Sequence, residues 1–271
     1  MRMMRAIRYI AVNVFKESVR DKVLYNLVLF AVLLIAISYL LGQLTAGQDI
    51  KVIKDLGLAA ISIFGLFIAV FIGIGLVSKE VERKSIYSLL AKPISRQQFI
   101  VGKYLGLVLT LLVNVAVMTL AYYAVLAGMA WVAGGWFLPG WEAPALDPGL
   151  LKAVAMIFLQ LMIVTAVALL FSTFSTPMLS AALTLGLYVA GHFNGDLRHF
   201  ETVVTSRPAI WLARALYFLL PNLAPLDVKA QAVHALPIPA GYLLLNTAYA
   251  LVYVSALLVG ATAIFVRRDF K

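Results

Sequence analysis

Six predominantly apolar blocks constrain this chain more than any other feature. They run over Val23–Leu41, Leu56–Val77, Tyr104–Val132, Leu151–Phe171, Met178–Phe193 and Gly241–Val266. Most approach or exceed the ~20 residues a helix needs to cross a bilayer. Lipid offers no partner for backbone N–H and C=O groups, so only helices and closed barrels span it. A barrel would read as short segments of alternating polarity, whereas these blocks are continuous runs of Leu, Ile, Val and Ala. Composition agrees: 63% of residues are apolar and 13% charged, too few charges to keep a soluble domain of this size dispersed. The expected fold is an all-α integral membrane protein. It is a six-transmembrane-helix bundle, read as one domain over residues 1–271.

The formal net charge is +10, and its distribution sets the expected topology. Of the Lys and Arg residues, 15 lie in three segments: the N-terminus (Arg2, Arg5, Arg8, Lys16, Arg20, Lys22), the stretch after the second block (Lys79, Arg83, Lys84, Lys92, Arg96, Lys103) and the C-terminus (Arg267, Arg268, Lys271). The opposite side holds seven: Lys51, Lys54, Lys152, Arg198, Arg207, Arg214 and Lys229. Basic residues collect on the cytoplasmic side, so both termini are expected there. The same rule accounts for the basic excess without nucleic acid. No cysteine is present, which excludes disulfides and thiolate metal sites. The first apolar block begins too far into the chain for a cleaved signal peptide, so it is expected to be a permanent anchor.

Three segments outside the blocks carry further expectations. Residues 1–22 read as an amphipathic interfacial helix. Met3, Met4, Ile7, Ile10, Ala11, Val14 and Phe15 share one arc and the basic residues another, with Tyr9 and Val12 as exceptions. Residues 78–103 read as a cytoplasmic knob: a short helix with Val77, Val81, Leu89 and Leu90 near one face, a stop at Lys92-Pro93, then a helix capped by Ser95 that runs into the third span. On the outer side, Gly42 to Asp55 forms a short loop and Ala133 to Pro148 a Trp- and Pro-rich interfacial turn. The longest outer segment, residues 194–240, is a cap. Its Pro208–Leu220 stretch forms a helix too short to span, re-entrant or lying on the surface.

The spans lack mid-membrane Asp, Glu, Lys and Arg, the usual mark of proton relays and ion paths. Asn26, Asn114, Gln160, Thr165 and Thr184 are their polar positions, expected mainly as inter-helix hydrogen-bond partners. Among these, Asn114, Gln160 and Thr165 are the candidates for a translocation path. No phosphate-binding loop, metalloprotease helix or nucleophile elbow occurs, so the chain holds neither an energy source nor a reaction centre. One weak metal constellation stands apart from this: His192, Asp196, His199 and Glu201 at the outer end of the fifth block. It underlies an alternative reading as a metal-dependent or lipid-modifying membrane enzyme. A second alternative is a scaffold for an outer-surface partner held by residues 194–240.

Three motifs carry a family resemblance. Lys16-Glu17-Ser-Val-Arg20-Asp21-Lys22 precedes the first span. Glu80-Val-Glu82-Arg83-Lys84-Ser85-Ile-Tyr-Ser-Leu89-Leu90-Ala-Lys-Pro93-Ile-Ser95-Arg96 is followed by Gly102-Lys103. Leu170-Phe171-Ser172-Thr-Phe-Ser175 separates the fourth and fifth spans. Together they resemble the membrane subunit of an ABC-2-type ABC transporter, with one departure: Lys84-Ser85 stands where that family's loop has Gly-Thr. The resemblance implies a permease, usually an exporter, of the bacterial or archaeal cytoplasmic (inner) membrane. It assigns Glu80, Glu82, Leu89, Leu90, Pro93, Glu17 and Arg20 to coupling with a separate ATPase subunit. That subunit would hold ATP and Mg, and no cofactor is expected in this chain. A second permease copy (a homodimer or a paralogue), membrane lipids and an outer-side accessory protein complete the implied partners.

Overall fold

The computed structural model describes residues 2–44, 49–82, 95–132, 145–195 and 206–267. Among them, nearly every residue is helical. In chain order the helices are α1 Arg2–Ser18, α2 Lys22–Gln43, α3 Asp49–Glu82, α4 Arg96–Val132, α5 Gly149–Ser172, α6 Pro177–His192, α7 Arg207–Leu219, the five-residue α8 Lys229–Val233, and α9 Ala240–Arg267. A single 3-10 turn, Ala224–Leu226, stands between α7 and α8.

Five of these helices, α2, α3, α4, α5 and α9, are long and apolar enough to cross a membrane. The sixth expected span coincides with α6, which has 16 residues. At 1.5 Å per residue such a helix is about 24 Å long, short of the ~30 Å hydrocarbon core. Apolar content located the segment, but its length sets it apart from the other five. The remaining boundaries fall close to those expected, with one correction outside the apolar blocks. The stretch expected as a loop from Gly42 to Asp55 is largely helix, because α3 begins at Asp49 and carries Lys51, Lys54 and Asp55 in its first turns. Lys54 is fully buried. Helix α8 packs on α3; of the three charged residues in its first turns Lys54 is enclosed by protein, while Asp55 stays exposed.

Burial orders the bundle. In α3 and α5, 67% of the hydrophobic window is buried, against 22% in α2 and 28% in α9. Helices α3 and α5 therefore form the centre and pack on each other, while α2 lies on α3 and α9 on α5. The outer faces of the peripheral helices are apolar: Leu29, Phe30 and Ile37 on α2, and Leu244, Leu245, Val252 and Val259 on α9, are all exposed. In water such surfaces would drive aggregation; in a bilayer they meet acyl chains.

Small residues let the central helices approach. A Cβ on Gly73 of α3 would sit 2.6 Å from the Ala168 Cβ of α5, so the hydrogen at this position permits backbone contact of the kind that holds membrane helices together. At the end of α5 the chain turns through 173–176 into α6, where the Ser175 and Ser180 hydroxyls lie 2.6 Å apart. This is the serine-containing turn expected between the fourth and fifth blocks.

The opposite end is closed by the segment after α7. Leu223 and Leu226 are fully buried, as is nearly all of Val228, and α8 packs on both α3 and α5. The Lys152 ammonium donates to the Ile238 carbonyl at 3.3 Å, and Tyr242 Oη donates to the Pro225 carbonyl at 2.6 Å. The expected 13-residue helix is present as α7, with Pro208 in its first turn.

Candidate coupling surface and polar interior

Local sequence builds the end of the bundle that carries both chain termini. Ser95 and Gln98 form a reciprocal capping box at the start of α4. The Gln98 N–H donates to Ser95 Oγ at 3.3 Å, and the Ser95 N–H to Gln98 Oε1 at 3.2 Å. The expected Ser95 cap is thus in place. One residue later, Arg96 reaches across to α9, its Nη1 donating to the carbonyls of Phe265 (3.1 Å) and Val266 (2.8 Å). Those are carbonyls of the last turn of α9, where the helix dipole favours a cation. Phe99 stacks on Phe265 with ring centroids 5.8 Å apart.

Lys103, read from the sequence as part of the basic loop, lies in the second turn of α4 and is 1% exposed, its ammonium 4.7 Å from the Phe99 ring centroid. A cation over an aromatic face is attracted by the ring quadrupole. Gly102 and Gly106 sit one turn apart on the face of α4 that meets α1. A Cβ at Gly102 would lie 2.8 Å from the Ile10 Cβ, and one at Gly106 would lie 2.6 Å from the Ala11 carbonyl oxygen. Helix α1 therefore spends the apolar arc around Ile7, Ile10, Ala11 and Val14 on α4. Met4 remains exposed on that arc. The amphipathic helix was expected from its periodicity; its seat was not, although the Gly102-x-x-x-Gly106 spacing signals it.

Of the residues assigned to coupling, Glu17, Arg20, Glu80 and Glu82 lie within the described residues. Glu80 and Glu82 belong to the last turn of α3, which runs on past the expected end of the span at Val77; the rest of the expected short helix lies outside the described residues. Leu89, Leu90 and Pro93 lie outside the described residues. Glu17 and Arg20 are exposed at the end of α1. They line a cleft of about 400 Å³ together with Asp21, Lys22 and the first turns of α2. Asp21 caps α2 by accepting from the Val23 N–H at 3.0 Å.

Of the three path candidates, Gln160 joins neighbouring helices. It is 2% exposed on α5, and its Nε2 donates to His192 Nε2 of α6 at 2.9 Å. His192 Nδ1–H donates to the Tyr188 carbonyl at 2.8 Å, which fixes the tautomer with Nε2 as the acceptor. Thr165 is buried and donates to the Leu161 carbonyl of its own helix at 2.8 Å. Asn114 is half-buried and donates to the Thr110 carbonyl at 2.7 Å, and Thr184 bonds the Ser180 carbonyl in the same way. Asn26 is exposed.

Both ring nitrogens of His192 thus serve the chain's own hydrogen bonds. Asp196, His199 and Glu201 of the metal constellation lie outside the described residues, and among the described residues no three His, Asp or Glu gather as metal ligands. A double-mutant cycle of Gln160→Leu and His192→Phe, read by thermal unfolding in mild detergent, is expected to give a coupling of about 0.6–1.7 kcal/mol, the range for inter-helix side-chain bonds in membranes. A coupling of zero would mean that the two side chains do not bond.

Long apolar helices around a central pair, with an amphipathic helix docked on one end, make a multi-pass membrane component. No curated protein matches the sequence. The family model described as ABC-2 family transporter protein matches residues 8–270, nearly the whole chain. The chain belongs to the ABC-2 family of transporter proteins and is a membrane permease subunit of that class.

Proposed function

We propose that this permease is driven by a separate ABC ATPase subunit and works as an exporter, with two permease copies forming the transport route between them. ATP and Mg then reside in the partner, and the chain sits in the bacterial or archaeal cytoplasmic membrane with both termini inside. Glu80, Glu82, Leu89, Leu90 and Pro93 of the first inner loop, with Glu17 and Arg20 beside it, take up the movement of the ATPase. Asn114, Gln160 and Thr165 lie along the helices that flank the route.

One observation carries this reading. The loop expected to meet the ATPase runs directly into α4, and the first three turns of α4 are locked to two other elements: to α9 through Arg96 and Phe99, and to α1 through Gly102 and Gly106. A push on the loop therefore moves three helices together. An interior without a phosphate-binding loop needs such an external source of work.

Affinity purification from the native host in mild detergent tests the reading. The expected result is a co-purifying nucleotide-binding subunit in near-equal amount, with vanadate-sensitive ATP hydrolysis. Leu89→Asp and Glu80→Ala are expected to preserve hydrolysis while transport falls about tenfold, the equivalent of 1.4 kcal/mol of lost coupling. A preparation that yields no ATPase under crosslinking would overturn the proposal.

A further inference from the structure

The cleft beneath the end of α1 holds a feature that coupling does not explain. Ser18 is 3% exposed and lines the cleft, yet its hydroxyl has no hydrogen-bond partner. Buried hydroxyls are nearly always satisfied, so an orphan facing a cleft points to a polar group that completes it. At about 400 Å³ the space is far larger than the ~30 Å³ share of one water.

The lining divides in two. One side is charged: Arg20 and Lys22 supply cations, Glu17 and Asp21 carboxylates, and the N-terminal turn of α2 adds its positive dipole end. The other side is apolar, formed by Val23, Leu24 and Leu27 of α2 with Ile68, Phe71 and Ile72 of α3. Both α2 and α3 continue from here into their membrane-spanning stretches. A polar ledge above an apolar wall, at the level where an amphipathic helix meets the bilayer, has the profile of one amphiphile standing upright.

We propose that this cleft binds a single zwitterionic phospholipid of the phosphatidylethanolamine type. The phosphodiester takes the Ser18 hydroxyl and the charges of Arg20 and Lys22, the headgroup ammonium lies toward Glu17, and an acyl chain follows Leu27 and Phe71. Among the described residues of the ledge two cations stand beside two carboxylates, which matches a headgroup carrying one charge of each sign better than a purely anionic one. The bound lipid would fill the gap between α1 and the α2–α3 pair, so the seat of α1 would include lipid as well as α4. Nothing in this inference depends on the ATPase partner, and its test can fail while the transporter reading stands.

Gly75 supplies the variant. It lines the cleft, and a Cβ built on it meets no atom within 4 Å, so Gly75→Leu starts its side chain in open space and is expected to occupy the cleft. Gly186 of α6, where an added Cβ also meets nothing, gives the control Gly186→Leu. The full chain is reconstituted in nanodiscs of equal parts palmitoyl-oleoyl phosphatidylethanolamine and phosphatidylglycerol, then extracted gently, and retained lipids are counted by native mass spectrometry.

Wild type and Gly186→Leu are expected to retain one phosphatidylethanolamine in preference to phosphatidylglycerol. Gly75→Leu is expected to lose it, and Arg20→Gln or Ser18→Ala to weaken retention by about tenfold, the effect of removing one hydrogen bond to a charged group. Equal retention by Gly75→Leu and wild type, or preference for phosphatidylglycerol, would overturn the proposal. So would displacement of the adduct by soluble phosphoethanolamine, which would make the cleft a site for water-soluble phosphate esters.

Discussion

Gly106→Leu is expected to unseat α1 from α4 and abolish transport. The Cβ alone would stand 2.6 Å from the Ala11 carbonyl oxygen and 2.7 Å from the Val14 Cβ. The first of these is a backbone atom in the middle of a helix, so no rotamer change relieves the contact. Overpacking a tight interface costs about 1–3 kcal/mol even where side chains can yield. Here the whole of α1 must move, and Gly102, one turn earlier, gives it no room to pivot, since its own missing Cβ is matched to Ile10.

Limited proteolysis should show the effect directly, with the Arg-rich α1 becoming cleavable in Gly106→Leu and staying protected in wild type. Gly128→Leu lies on the same helix, where an added Cβ meets nothing, and should leave both protection and transport unchanged. Equal protection of α1 in Gly106→Leu and wild type would show that the two helices are not in backbone contact.

Tyr122→Ala is expected to produce the second large effect, at the other end of α4. This side chain is fully buried, its ring lies against Gly57 of α3, and its hydroxyl donates to the Lys54 carbonyl at 3.1 Å. Neighbouring Tyr123 donates to the Asp147 carbonyl at 2.9 Å, so two adjacent tyrosines tie α4 to α3 and to the entry of α5. Truncating a buried aromatic to Ala costs about 3–5 kcal/mol where the cavity cannot collapse.

Tyr122→Phe keeps the ring and loses one hydrogen bond, so its cost should be about 1 kcal/mol. The geometry also predicts a compensation. A Cβ at Gly57 would collide with the Tyr122 ring, so Gly57→Leu alone should destabilise strongly, while Gly57→Leu with Tyr122→Ala should recover part of the loss by refilling the vacated space. Thermal unfolding of the four proteins in one detergent measures this. Strictly additive losses would mean that the two positions do not share a contact.

The elements that periodicity controls were legible from sequence. Block lengths placed α2, α5 and α9 and the end of α4 within a few residues, and Ser95 marked the start of α4, eight residues ahead of its apolar block, because capping is a local interaction. Residues whose placement depends on a distant partner were not. Lys54 and Lys103 read as water-facing charges but are buried at 0% and 1% exposure, because neighbouring helices enclose them and periodicity along one segment does not encode its tertiary neighbours. The length of α6 was readable, yet apolar content outweighed it.

For the candidate site, the motif residues were visible while the orphan Ser18 hydroxyl was not. A serine in a motif before a span looks the same whether it faces water, its own helix or a cleft. Gly102 and Gly106 lay in plain sight four residues apart, and the spacing carried more information than the Gly102-Lys103 pair alone.

The short α6 has a consequence for how the chain is made. Its final turn is completed from elsewhere: the Leu223 N–H donates to the Gly191 carbonyl at 2.9 Å, and Asn194 Nδ2 reaches the carbonyls of Tyr217 and Leu220. The segment that supplies these partners is itself held by α9, through the Tyr249 hydroxyl accepting from the Asn222 N–H at 2.8 Å and Tyr242 donating to Pro225. Synthesis runs from the N-terminus, so α6 enters the membrane before either the cap or its anchor exists. A nascent chain paused before α9 carries a helix end whose partner segment is not yet anchored. The helix that closes the far end of the bundle is thus made after the helix end it serves.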